Sequence, residues 1–228
     1  MRLDRYLANL KYGTRNEITK KIKSKKVTVN GTIETDARYK VDTANDKVTF
    51  EGKEVFYKDT VLLMLNKPSG VISANKDGLH ETVIDLIGEP YNRFELRIAG
   101  RLDIDTEGLI LLTNDGKLLH KIISPNKDVY KKYYVKVESK FDSKKLLKEF
   151  QIKDGRDLLF TPLLPIVEQI SDNEFYLSIK EGKFHQVKRM VEHFNNKVIY
   201  LKRVSIGNIE LDESLEKGRY KEVLDYKI

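Results

Sequence analysis

Leu3, Leu7 and Leu10 recur at helical spacing with Tyr6 beside them, which predicts a helix at the start of the chain. Gly13 ends it. Thr14-Arg15-Asn16-Glu17 has the capping-box pattern, so a second helix should begin at Thr14 and turn Ile18 and Ile22 inward. Val27-Thr28-Val29 alternates as a short strand. Asn30-Gly31 is a hairpin turn, because a type I′ turn needs positive φ at both central residues. Thr32-Ile33 starts the return strand, and a weaker strand runs over Lys47–Phe50. Two helices and a small curled sheet make residues 1–50 a compact unit.

Residues 51–59 read as a linker. Beyond it, 60–66 is an apolar strand and Lys67-Pro68-Ser69-Gly70 must turn, since Pro68 lacks a donor and Gly70 permits positive φ. Residues 71–73 extend again, 82–87 read as a short helix, 94–98 alternate like a strand, and 110–113 form a buried strand. A helix over 117–123 stops before Pro125. Strands follow at 133–137, 175–179 and 199–206, with amphipathic helices at 143–150 and 185–194. Strands with helices inserted between them make the chain α+β: a small N-terminal α/β unit, then a mixed, mainly antiparallel sheet domain over 60–228.

Composition narrows this. Of 228 residues, 40% are hydrophobic, enough for a sizeable core. No apolar run approaches the roughly 20 residues that span a bilayer, so neither a membrane anchor nor a leader is expected and the protein reads as cytoplasmic. There is no Cys, which excludes disulfides and thiolate metal sites. The net charge of +7 lies within the first 31 residues, which hold nine Lys/Arg and two Asp/Glu; the remainder is neutral. Charge concentrated on a small unit suggests a polyanion-binding face.

The chemistry-bearing segment is Gly100-Arg101-Leu102-Asp103-Ile104-Asp105-Thr106-Glu107-Gly108, between two apolar strands. Four charged side chains bracketed by glycines suit a loop drawn around a reacting group. Charge and spacing do not rank Asp103, Asp105 and Glu107. The four histidines lack metal-ligand spacing, the carboxylates lack the calcium-loop pattern, and no phosphate-binding glycine pattern follows a strand. Neither a metal nor a cofactor is expected.

Two resemblances carry the reading further. Arg2-Leu3-Asp4-Arg5-Tyr6-Leu7, Thr14-Arg15, Ile22-Lys23 and Val27-Thr28-Val29-Asn30-Gly31 resemble the RNA-binding domain first described in a small-subunit ribosomal protein, S4. It implies Arg5, Arg15, Lys20, Lys23 and Lys26 as phosphate contacts. Gly100-Arg101-Leu102-Asp103, with Asp105-Thr106, Gly108 and 111–116, resembles the central motif of the rRNA pseudouridine synthases. Asn66-Lys67-Pro68-Ser69-Gly70, Lys131-Lys132-Tyr133-Tyr134-Val135 and Glu181–Met190 resemble further motifs of that family, and the ending Gly218-Arg219-Tyr220 agrees. The version His185-Gln186-Val187-Lys188-Arg189-Met190 is similar to the branch acting on small-subunit (16S) rRNA, with uridine 516 as the implied target.

The resemblance implies Asp103 as the catalytic aspartate, Tyr133 stacked on the target base, Lys188 paired with the aspartate, and Arg101 holding the flipped nucleotide or a phosphate. Lys188 and Arg189 point about 100° apart on a helix, so one can face the pocket and the other the RNA. Tyr133 and Tyr134 alternate on a strand, so one of them faces the pocket. Leu102, Val135 and Ile179 are expected to line it. Asn66, Lys67, His185 and Gln186 either position the loop or touch RNA. The implied partner is ribosomal RNA, met by a monomer. A 23S-directed synthase, a non-catalytic rRNA-binding assembly protein and a two-carboxylate glycoside hydrolase are the competing readings. The last is weakened by the basic N-terminus.

Overall fold

The computed structural model describes residues 1–124 and 129–226. The chain divides into two compact units: Met1–Val61 with Ile87–Leu96, and Leu62–Leu86 with Arg97–Ile228.

In the first unit, helices α1 (Leu3–Asn9) and α2 (Arg15–Lys23) accompany a sheet of β1 (Val27–Val29), β2 (Thr32–Ile33), β3 (Val48–Phe50) and β4 (Lys53–Glu54) in the order β2-β1-β3-β4. The predicted capping box is present: Glu17 N–H donates to Thr14 Oγ1, and Thr14 N–H donates to the Glu17 carboxylate. Asn30 and Gly31 take φ of 52° and 81°, the left-handed pair that a two-residue hairpin demands. Leu3, Tyr6, Leu7, Leu10, Ile18, Ile22, Val27 and Val29 are buried together with Val48.

Residues 51–59, expected to be a linker, instead extend this unit. β4 pairs with β3, Val55 is buried, and Tyr57 packs on Tyr6 at 5.0 Å. The segment 87–96 also joins it: Phe56 meets Tyr91 and Phe94 edge to face, and Lys11 Nζ donates to the carbonyls of Asn92 and Phe94. The apolar side chains in both stretches find their burial here, which a reading of local turn residues does not foresee.

The second unit is built on a nine-stranded sheet. Its strands are β5 (Leu62–Lys67), β6 (Arg97–Ala99), β7 (Glu107–Thr113) and β8 (Lys131–Val137). A two-stranded hairpin, β9 (Ile152–Lys153) and β10 (Leu159–Phe160), stands apart. The sheet continues with β11 (Ile166–Ser171), β12 (Glu174–Ile179), β13 (Val198–Ile206), β14 (Ile209–Glu210) and β15 (Tyr220–Glu222). The order is β11-β12-β8-β13-β7-β5-β15, with β14 on β13 and β6 on β7. β7 and β13 are parallel and every other pair in this sheet is antiparallel. This is the mixed, mainly antiparallel sheet the sequence predicts. β5 and β7 are buried along their whole length, as their continuous apolar runs require. β8 and β12 alternate buried and half-buried positions, as one-faced strands do.

Helix α3 (Gly116–Ile123) is N-capped by Asp115, which accepts from Lys117 N–H at 2.8 Å. Pro125, expected to stop it, lies outside the described residues. Helix α4 covers Gln186–Glu192. Three predicted elements differ. Residues 82–87 form no helix: Thr82 and Asp85 close a single capped turn, too short to nucleate. The helix expected over 143–150 is a 3₁₀ segment, Ser143–Leu147. The strand expected over 94–98 is confined to Arg97–Ala99, because Phe94 belongs to the first unit.

Candidate active site

The loop 100–106 joins β6 to β7, and its backbone carbonyls are nearly all used. Arg203 Nη2 donates to Gly100 O at 2.8 Å, its Nη1 reaches Arg101 O at 3.4 Å, and its Nε donates to Leu109 O at 2.8 Å. Ser73 Oγ donates to Leu102 O and accepts from Leu102 N–H. Asp103 O accepts from Thr106 N–H, and Ile104 O from Gly70 N–H. Lys67 Nζ donates to Pro68 O, Ile104 O and Thr106 O at 2.8–3.1 Å. A polar loop can be held rigidly in a protein interior only when these groups are paired. Here the pairing fixes the backbone from which the Asp103 side chain projects.

Arg203 can reach the loop because β7 and β13 approach closely. Gly108 has φ of 99°, and a Cβ there would stand 2.3 Å from the Arg203 carbonyl oxygen. Any other residue would push the two strands apart.

Asp103 projects into a narrow recess of about 50 Å³ that adjoins an outer hollow of about 650 Å³. Arg101, Leu102, Tyr133, Ile179, Leu201 and Lys188 line the recess. Lys188 Nζ stands 3.4 Å from Asp103 and 2.6 Å from Asp105. His185 Nε2 lies 3.5 Å from Asp103 Oδ1. His185 has a left-handed backbone (φ 51°) just before α4, and its ring stacks on Phe184 at 3.7 Å. Burial works against ionisation of Asp105, but the hydrogen bond and charge of Lys188, with His185 behind them, hold its pKa below the ordinary value.

The two open choices of the sequence are decided by geometry. Tyr133 is buried against the recess, whereas Tyr134 is on the opposite face of β8, edge to face with Tyr176 and Tyr200 at 5.9 Å. Lys188 faces the carboxylates, whereas Arg189 donates to the carbonyls of Lys153 and Asp154 and lies over Phe184.

Of the residues expected either to position the loop or to touch RNA, three are internal braces. Lys67 is fully buried, and desolvation pushes its pKa down to about 8 despite the charges of Asp105, Glu107 and Asp103. Asn66 is buried and donates to Leu215 O. Gln186 is buried, donating to Glu181 and accepting from Lys183 N–H. Val135 is fully buried in the sheet and does not line the recess, because the chain covers that step of β8 completely. In the first unit Arg5, Lys20, Lys23 and Lys26 are exposed. Arg15 is exposed but pairs with Asp4 at 3.0 Å, beside Arg2.

Sequence reasoning missed Arg203, Ser73 and Leu201. Arg203 carried a legible signal: it occupies an inward position of an alternating strand, where an arginine without a dedicated set of acceptors would be costly.

Residues 61–193, the stretch that supplies Asp103, Tyr133 and Lys188, match the family described as RNA pseudouridylate synthase, and the chain belongs to that family. Residues 1–48 match the S4 domain. An uncharacterized RNA pseudouridine synthase of Bacillus subtilis, YtzG, is 41% identical over 100% of this chain and 97% of its own. Ribosomal small subunit pseudouridine synthase A of Vibrio vulnificus is 41% identical over 97% of this chain and 95% of its own. A crystal structure of a pseudouridylate synthase superposes with a TM-score of 0.67 at 34% identity, covering 98% of this chain and 96% of that one. A chain of a Cbf5-Nop10-Gar1 complex shares the fold, with a TM-score of 0.51 at 16% identity over 69% of this chain and 52% of that one.

Proposed function

We propose that this pseudouridine synthase acts on small-subunit (16S) ribosomal RNA, isomerising one uridine, position 516 by the resemblance of its motifs, with Asp103 as the reacting carboxylate. The observation that carries the proposal is the Asp103 carboxylate at the recess wall, 3.4 Å from Lys188 and beside Tyr133. The small-subunit reading is supported by the Vibrio vulnificus relative and by the segment 185–190.

The reaction breaks the bond from sugar C1′ to N1, rotates the base, and joins C1′ to C5. A proton leaves C5 and one is gained at N1, so the product is an isomer and needs no oxidant, reductant or group donor. The base must leave its stack to reach the recess. Asp103 then either attacks C1′ or assists removal of the C2′ proton. Both routes need the ionised carboxylate, which Lys188 favours electrostatically. Tyr133 offers the detached base an aromatic face and Arg101 a cation at the rim. The basic first unit docks the RNA through Arg5, Lys20, Lys23 and Lys26, and the enzyme works as a monomer in the cytoplasm.

Asp103→Asn is expected to abolish pseudouridine formation while retaining the fold and most RNA affinity. Carbodiimide mapping of 16S rRNA from a deletion strain carrying the variant is the test; normal modification there would remove Asp103 from the mechanism. Modification confined to 23S rRNA in the wild-type strain would overturn the small-subunit assignment.

A further inference from the structure

A second cavity, of about 410 Å³, lies behind the wall of the reaction recess. That volume is within the roughly 300–1,000 Å³ of sites that take a small organic ligand. Arg101, Tyr133, Gly182 and Lys183 line both spaces, so the two share a wall. The far side is apolar, formed by Ile122, Ile123 and Ile206 with Leu163. Its charged lining among the described residues is five cations, Arg101, Lys131, Lys180, Lys183 and Arg203, against one carboxylate, Glu181.

Most of these cations are occupied. Arg203 is spent on loop carbonyls, Lys131 Nζ donates to Lys180 O, and Lys183 Nζ sits 3.6 Å from the Phe160 ring centroid. Arg101 is exposed, and its guanidinium has no partner among the described residues. An apolar slot with an excess of positive charge and one unspent guanidinium at its shared wall suits a flat base attached to a phosphate. It does not suit an acidic peptide, for which the apolar wall offers no polar partners, or a neutral lipid, for which the cations are wasted.

We propose that this cavity receives the base of a nucleotide adjoining the target uridine in the same RNA strand, while Arg101 holds the phosphate between the two. Tyr133 then separates two unstacked bases, one in each space. The inference rests on the reading of the chain as an RNA-modifying enzyme. It adds a specificity element: the enzyme reads a neighbour of the uridine it changes.

The test is single-turnover pseudouridine formation on a 16S fragment carrying, in separate substrates, an abasic nucleotide immediately 5′ or 3′ of the target. Wild-type protein is compared with Ile123→Trp and Leu163→Trp, which fill the cavity from two partly exposed positions and so spare the core. For wild type, the abasic change at one neighbour should lower kcat/KM about tenfold, the scale of one lost stacking contact. Each filled variant should lose about as much on the intact fragment. Combining variant and abasic substrate should cost no more than either alone, because both remove the same contact. Equal wild-type rates on intact and both abasic RNAs would overturn the inference and leave the enzyme reading intact. So would losses that multiply. Failure of wild-type protein to form pseudouridine in any rRNA fragment would instead overturn the enzyme reading, and this inference with it.

Discussion

Lys188 is closer to Asp105 than to Asp103: its Nζ lies 2.6 and 2.8 Å from the two Asp105 oxygens and 3.4 Å from Asp103. One ammonium thus serves two carboxylates, bonded to the outer and only near the inner. Asp103 thus lies beside the positive charge without the close pair that Asp105 makes with it.

Asp105→Asn removes the competitor, and Lys188 should close onto Asp103. A tighter pair makes the carboxylate less reactive. We expect kcat to fall roughly tenfold, ~1.4 kcal/mol of barrier, with KM little changed. Release of label from C5-tritiated uridine in an rRNA fragment measures it. An unchanged kcat would mean that the Asp105 contact has no part in tuning Asp103.

Lys67 tests whether the loop's internal bonds matter. Lys67→Met leaves the carbonyls of Pro68, Ile104 and Thr106 without their shared donor, a loss of about 2–4 kcal/mol if hydrogen bonds from a charged group are counted. The pH dependence has a definite sign. Burial lowers the Lys67 pKa from 10.5 to about 8, so between those values the unfolded chain binds more protons than the folded one. The cost of burying the charge is complete below pH 8 and fades as pH rises toward 10.5. Denaturant titrations should therefore show wild type gaining stability on the Met variant from pH 8 to pH 10.

Tyr133 and Tyr134 separate stacking from surface packing. Tyr133→Ala should lower kcat/KM by the worth of one stacked base, about 1–3 kcal/mol, and Tyr133→Phe should keep most of the rate. Tyr134→Ala should leave the rate near wild type, since that ring lies on the other face of β8. Parallel assays of the three variants decide it, and equal losses at both alanine positions would contradict the placement.

Docking charge is tested by Lys20→Ala, Lys23→Ala and Lys26→Ala combined. All three side chains are exposed. If each neutralises a phosphate, the slope of log K against log salt should flatten by roughly 0.7–0.9 per lysine removed. Filter binding of a 16S fragment from low to high salt measures it, and an unchanged slope would place the RNA contacts elsewhere. Arg15 is left intact because it neutralises buried Asp4, where burial favours the proton but the guanidiniums of Arg2 and Arg15 keep the carboxyl pKa below its ordinary value.

Much of the molecule was legible in the sequence wherever a short-range rule governs. The Thr14–Glu17 cap, the Asn30-Gly31 hairpin and the alternation of β8 each depend on neighbours within a few residues, so local chemistry determines them. The loop holding Asp103 was visible because charged residues between glycines have no packing use in an apolar stretch. The resemblance singled out Asp103, Tyr133 and Lys188 as a set, and strand and helix periodicity limited each remaining choice to two.

Tertiary structure decided what depends on partners distant along the chain. Nothing local tells Lys67 that it will be buried under the loop 39 residues later, or that Ile87–Leu96 will pack with the first unit. Arg203 holds Gly100 across 103 residues of chain, a contact that exists only because β7 and β13 pair in parallel at Gly108. The division of Lys188 between Asp103 and Asp105 is a matter of ångströms set by how α4 sits against that loop. Sequence pattern fixes which face a side chain occupies, and packing fixes the distance, on which the electrostatics of a carboxylate beside an ammonium depend.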